Sequence, residues 1–122
     1  MARSMANMVG LSAFAFILGA GQLLFKAAAD RAPALTRWAD LPGLVTQPLL
    51  WLALALYGFA TLLWIYLLQR VPLSEAYPFA ALAFVLVPLG AAALFGERLS
   101  SAHFVGSALI VAGICVIGLV QR

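Results

Sequence analysis

The sequence predicts an all-α membrane protein of four transmembrane helices, forming one domain over residues 1–122. Two features of the composition carry this reading. Hydrophobic residues make up 66% of the chain and charged residues only 9%, whereas an average soluble domain has about 45–50% apolar and about 25% charged residues. The mean hydropathy is +1.09. A third observation is that the apolar residues fall into four runs, each close to the roughly 20 residues that a helix needs to cross a hydrocarbon core. Four such spans nearly exhaust the length, so chemistry must sit between helices or in short loops.

The first span is expected at about residues 8–29, ending in Asp30-Arg31-Ala32-Pro33, where charge and a proline stop the helix. Arg3 and the following apolar run imitate a secretory signal, but the run continues through Leu23, Leu24 and Phe25 and so reads as a full span. A loop of about 18 residues follows, with Arg31, Arg37, Trp38, Asp40 and Pro42, a mixture suited to the membrane interface. The second span, about 48–69, opens with Pro48 in a tolerated first-turn position and closes at Gln69-Arg70 before Pro72. The third covers about 74–95, and the fourth about 102–120, after the solvated turn Gly96-Glu97-Arg98. Arg3, Arg70 and Arg122 fall on one side of such a hairpin, and Lys26, Arg31, Arg37 and Arg98 on the other. This near balance leaves the orientation open and permits insertion both ways round.

The net charge of +3 comes from seven basic residues scattered over loops and termini, which makes no nucleic-acid patch; membrane lipids are the expected counterpart. Cys115, the one cysteine, lies in an apolar run and reads as a small hydrophobe, so no disulfide or cysteine metal site arises within one chain. His103 reads as an interfacial loop histidine, since a metal site would need partners that the sequence lacks. No nucleophile, general base or metal cluster suggests an enzyme, and no cofactor is expected.

A charged side chain inside hydrocarbon costs about 2.5–3.5 kcal/mol on insertion scales, so polar residues within spans are candidate functional groups. Ala15, Gly19, Gln22 and Lys26 recur at three- or four-residue spacing and give the first helix a small, polar face expected to look into the bundle. Lys26 has two readings: a lysine snorkelling to the interface, or a cation that holds a phosphate or carboxylate. In the third helix Ser74, Glu75 and Tyr77 precede Pro78, whose missing N–H should loosen the turn at Ser74. Glu75 also complements the helix dipole. Pro88 and Gly90 mark a second weak point. Tyr57, Thr61 and Trp64 share one face of the second helix and can wall a cavity, while Trp51 and Tyr66 suit interface anchoring. In the fourth helix Gly106, Ile110, Gly113 and Ile117 form a small-residue face, read as a dimer seam or as packing within the chain.

Four segments together resemble the drug/metabolite transporter superfamily in its four-helix form. They are Gly21-Gln22-Leu23-Leu24-Phe25-Lys26, Val71-Pro72-Leu73-Ser74-Glu75-Ala76-Tyr77-Pro78, Leu94-Phe95-Gly96-Glu97-Arg98-Leu99, and Gly106 to Gly113. The resemblance covers nearly the whole chain and has two branches: small multidrug resistance exporters, and EamA-like small subunits similar to the flippase for undecaprenyl-phosphate-linked aminoarabinose. In the first branch a glutamate deep in helix one couples export to protons; the register set by Gly21 and Lys26 places Leu18 there. Tyr57 and Tyr77 match aromatic site positions of that branch, but Gly21-Gln22 and Ala76-Tyr77-Pro78 are closer to the flippase branch. The resemblance implies a small multidrug resistance-like bundle working as a homodimer or heterodimer in a bacterial inner membrane. It also implies a polyprenyl-phosphate sugar as substrate, moved by alternating access. Lys26 would then meet the phosphate, Gln22, Ser74 and Glu75 would bond the sugar, and Tyr57 and Tyr77 would stack on it. The alternatives are an exporter of organic cations and a non-transporting accessory subunit.

Overall fold

The computed structural model describes residues 5–120; Arg3 and Arg122, which enter the charge balance, lie outside them. Helix α1 runs Met5–Arg31. A 3-10 turn, Trp38–Asp40, and a short helix α2, Leu41–Val45, lead into α3, Pro48–Leu68. The third apolar run is divided into α4, Leu73–Ala80, and α5, Ala83–Phe95, and the chain continues in α6, Ser101–Val120. Among the described residues three stretches are long and apolar enough to cross a bilayer: Met5–Arg31, Pro48–Leu68 and Leu73–Phe95 taken together. The apolar part of α6, Ser101–Ile117, is shorter.

Helix α1 is the axis of the bundle, packed along α3 and against α4 and α5. Its buried positions are mostly small: Ala15, Gly19, Gly21 and Ala28 beside Leu11 and Phe14. Small residues matter because lipid tails are as apolar as leucine, so helices associate through close van der Waals contact rather than by escaping water. A Cβ at Gly10 would stand 2.8 Å from the Leu67 side chain, and one at Gly90 would stand 2.7 Å from Leu23. These two glycines admit leucines where α1 meets α3 and α5. The face expected to look inward is split. Ala15 and Gly19 are buried, whereas Gln22 and Lys26, a turn or two further on, are exposed.

The core gathers Leu11, Phe14, Ala60, Leu67, Val71 and Ala76. The molecule has no buried polar side chain among its described residues. Large apolar groups such as Phe16, Leu62, Phe84 and Leu109 stand outward, the pattern of a surface solvated by lipid. Helix α6 packs against α4 and α5, and none of its described side chains is buried.

Two local features depart from expectation. The third span is interrupted at Ala81-Leu82, three residues beyond Pro78, and runs unbroken through Pro88. There the backbone tightens into i→i−3 bonds: Leu82 N–H to the Phe79 carbonyl, Phe84 to Ala81, and Val85 to Leu82. The loop after α1 is also more ordered than a plain connection. One oxygen of Asp40 accepts from the Thr36 N–H and hydroxyl at 2.9 Å each and from the Arg37 N–H at 3.0 Å. These bonds, led by the Thr36 N–H, hold the Asp40 carboxyl below its ordinary pKa.

Candidate functional site

Two open cavities lie beside α1 and share Leu18, Tyr77 and Ala80 as walls; together they make up the groove. The first, about 280 Å³, lies between α1, α3 and α4 and is walled by Phe14, Tyr57, Thr61 and Trp64. The second, about 390 Å³, lies between α1 and the α4–α5 break and is lined by Gln22, Ala81, Phe84, Val87 and Pro88. The groove follows from the helix period. Phe14, Leu18 and Gln22 succeed one another at four-residue intervals and so form one stripe down α1. Opposite them the break at Ala81-Leu82 and the short side chains around it leave space.

An aromatic chain orders the first cavity. Phe14 and Trp64 stack with ring centroids 4.6 Å apart and planes at 25°. The Trp64 ring meets Tyr77 edge-on at 6.3 Å, and Tyr57 lies 6.5 Å from Phe25. Each such pair contributes about 0.5–1.5 kcal/mol beyond its buried area. The Thr61 hydroxyl donates to the Tyr57 carbonyl at 2.9 Å, so its proton is engaged within α3 and its oxygen can still accept.

Of the residues singled out in the sequence, Tyr57, Thr61, Trp64 and Tyr77 come together in the first cavity. Gln22 joins them through Tyr77 in the second. Lys26, Ser74 and Glu75 line neither cavity in the single chain. Lys26 pairs with Asp30 one turn on, at 3.2 Å, with both groups about half exposed. Ser74 is exposed and Glu75 partly buried on α4. No carboxylate or amine is among the described residues lining the groove, whose polar groups are Gln22, Thr61, the tyrosine hydroxyls and the Trp64 N–H.

Sequence reasoning did not single out Phe14 or Phe84, which read as ordinary lipid- or core-facing phenylalanines. The usable signal was the stripe ending at Gln22: counting back by four gives Leu18 and Phe14. Ala15 and Gly19, which the sequence groups with Gln22 and Lys26, lie one residue round the helix from Phe14 and Leu18, on the packed side of α1.

The chain is 47% identical over 72 residues to a protein of Pseudomonas aeruginosa named probable 4-amino-4-deoxy-L-arabinose-phosphoundecaprenol flippase subunit ArnE. That match covers 59% of this chain and 63% of the relative's length. A protein of the same name from Pseudomonas paraeruginosa is 39% identical over 110 residues, 88% of this chain and 93% of the relative. One from Shigella flexneri is 46% identical over 71 residues, covering 57% and 64% of the two chains. No solved structure gives a significant match. The model of the EamA-like transporter family matches residues 1–119, nearly the whole of the fold that carries the groove, and the chain belongs to that family.

Proposed function

We propose that this chain is one subunit of a dimeric lipid flippase that carries a polyprenyl-phosphate-linked amino sugar across a bacterial inner membrane. In this reading it is a single four-helix transmembrane domain, with α6 completing the set of spans, and the groove beside α1 is its half of the substrate path. The observation that carries the reading is the groove itself: aromatic walls, a few neutral polar groups, and Leu18 as a wall common to its two parts.

Leu18 occupies the position at which the exporter branch of the resemblance has its proton-coupling acid. A groove without a carboxylate is poorly suited to exchanging protons for a cation. It does suit a sugar, whose hydroxyls bond to neutral donors and acceptors and whose ring faces stack on Tyr57, Trp64 and Tyr77. The isoprenoid tail of such a substrate stays in lipid, so the path must open sideways, and neither cavity of the groove is enclosed. Interrupted helices commonly line transporter sites near the midplane, and Ala81 of the α4–α5 break lines the larger cavity. Lys26, Ser74 and Glu75 stand outside the groove of one chain. They act on the phosphate and the amine where a second subunit closes the path.

The seam for that subunit is the α6 face of Gly106, Ile110, Gly113 and Ile117. A Cβ at Gly106 or Gly113 would meet no atom within 4 Å, so neither glycine is closely approached within the chain, where Gly106 and Ile110 border an open cleft beside Phe84 and Pro88 of α5. Flipping of a short-chain polyprenyl-phosphate amino sugar tests the whole reading in proteoliposomes, with the chain alone and together with a similar small subunit. Native activity that falls several-fold in Gln22→Ala, with assembly intact, is the expected result. Loss of a hydrogen bond to a neutral sugar hydroxyl costs about 0.5–1.5 kcal/mol, a factor of about two to ten. A folded native chain inactive in both formats, or a Gln22→Ala variant as active as native, would reject the flippase reading in favour of an accessory role. Resistance to quaternary ammonium compounds without flipping would point to cation export.

A further inference from the structure

Between α1 and α3 the chain makes a closed loop at the edge of two spanning helices. The Gln47 side-chain amide donates to the Arg31 carbonyl at 3.4 Å, joining the end of α1 to the approach to α3. Helix α2 folds back over the entrance, since a Cβ at Gly43 would stand 2.9 Å from the Pro33 ring. The Trp51 indole N–H donates to the Val45 carbonyl at 2.6 Å, tying α2 to the first turn of α3. A segment held at both ends by membrane-crossing helices, and fastened across its middle, stays at the bilayer surface.

That segment nevertheless turns apolar groups outward. Leu35, Trp38, Leu41 and Val45 are exposed, Trp38 by 87%. Its charges are unequally engaged. Asp40 is taken up by Thr36 and the Arg37 N–H, and Asp30, just before the loop, pairs with Lys26. Arg31 and Arg37 are exposed and have no carboxylate partner among the described residues. Indole rings concentrate at head-group depth, and guanidinium groups bind phosphate through two parallel N–H bonds. Both chemistries point at one partner, an anionic phospholipid surface.

We propose that the loop from Arg31 to Val45 is an anionic-lipid platform: Trp38 seats among the head groups while Arg31 and Arg37 bind lipid phosphates. It thereby holds the adjoining ends of α1 and α3 at a fixed depth. The inference requires that the chain span a bilayer and is independent of what the groove carries.

The test uses the full chain in vesicles of brominated phosphatidylcholine, with or without brominated phosphatidylglycerol. The signal of Trp38 is the native emission minus that of Trp38→Phe. Because Trp38 is exposed, that variant loses no core packing, and matching helical circular dichroism confirms its fold. Trp38 is expected to be quenched by the lipid bromines, more strongly by phosphatidylglycerol. Arg31→Gln and Arg37→Gln should each lower that preference about fivefold, the effect of one basic residue near an anionic surface, and raised salt should lower it also. Quenching by aqueous acrylamide, with no effect of brominated lipid, would overturn the proposal. Protection from both quenchers would overturn it too, because a second copy or another protein would then cover the loop. Equal quenching by the two lipids, unchanged in the arginine variants, would refute the anionic recognition.

Discussion

At the scale of single residues, the groove depends on side chains whose roles separate cleanly by what they touch. Trp64 touches both Phe14 and Tyr77, so Trp64→Leu removes two ring contacts together. The expected loss is about 1–3 kcal/mol from two aromatic pairs, read as a lower unfolding midpoint in detergent. Thr61→Val makes the contrasting case. Its hydroxyl donates only to a carbonyl of its own helix, so stability should change by less than about 0.5 kcal/mol, and a fall in flipping would then report the lost acceptor in the groove. Asp40 supplies a pH signature away from the spans. Its folded pKa lies below the unfolded one, so its contribution is fully present above the unfolded value near about pH 4 and is lost as pH falls through the depressed folded value. Protection of the Thr36 and Arg37 amides, as exchange relative to the intrinsic rate at each pH, should therefore fall on acidification below about pH 4 in the native chain. In Asp40→Asn protection should already be low at neutral pH and should not change across that range.

At the scale of elements, the long helices could be read from apolar run length and from the prolines and charges that stop them, but the division of the third span could not. Pro78 lacks the N–H that would bond to Ser74, which explains an expected weak point there. The interruption falls instead at Ala81-Leu82, among residues that favour helix. Packing accounts for the displacement. Ala76, Phe79 and Ala80 of α4 join the cluster around Leu11 and Phe14, while Val87 and Gly90 of α5 lie against Gly19 and Leu23, further along α1. The tightened turn joins two halves seated on different levels of the same helix, and this is a tertiary fact that no local residue signals. The end of α5 is the opposite case, since Gly96 adopts φ 68° with its successor's N–H directed to the Ala91 carbonyl. A side chain in that left-handed conformation costs about 1–2 kcal/mol. Gly96→Ala should therefore lower stability by that amount in a denaturation series. Gly90→Ala, which presses only on the movable tip of Leu23, should cost less.

At the scale of the whole molecule, the chain is a bundle around α1 with one weakly attached member. Composition alone made the membrane legible, because so apolar a surface has no other solvent. The candidate site was half legible: the aromatic and polar residues that meet in the groove stood out against leucine. Phe14 and Phe84 did not, because their position relative to α1 is fixed by helices distant in sequence. Helix α6 joins this reasoning to assembly. None of its described side chains is buried, and a Cβ at Gly106 or Gly113 would meet no atom within 4 Å, whereas Gly10 of α1 and Gly90 of α5 are closely approached. Small residues that are not closely approached within the chain offer a second helix the close backbone contact that drives association in bilayers. Leucine at both positions should therefore leave the single chain folded, because its Cβ meets no atom and the open cleft beside Phe84 and Pro88 gives the Gly106 side chain room, yet push a partner away. In Gly106→Leu/Gly113→Leu we expect dimerisation in lipid to weaken about tenfold, the scale of modest helix–helix packing energies, measured by energy transfer between labelled copies as lipid dilutes them. Flipping should fall in proportion to the dimer lost while the thermal midpoint of the monomer stays put. A fall in that midpoint with association unchanged would instead assign the glycine face to packing within the chain and move the seam elsewhere.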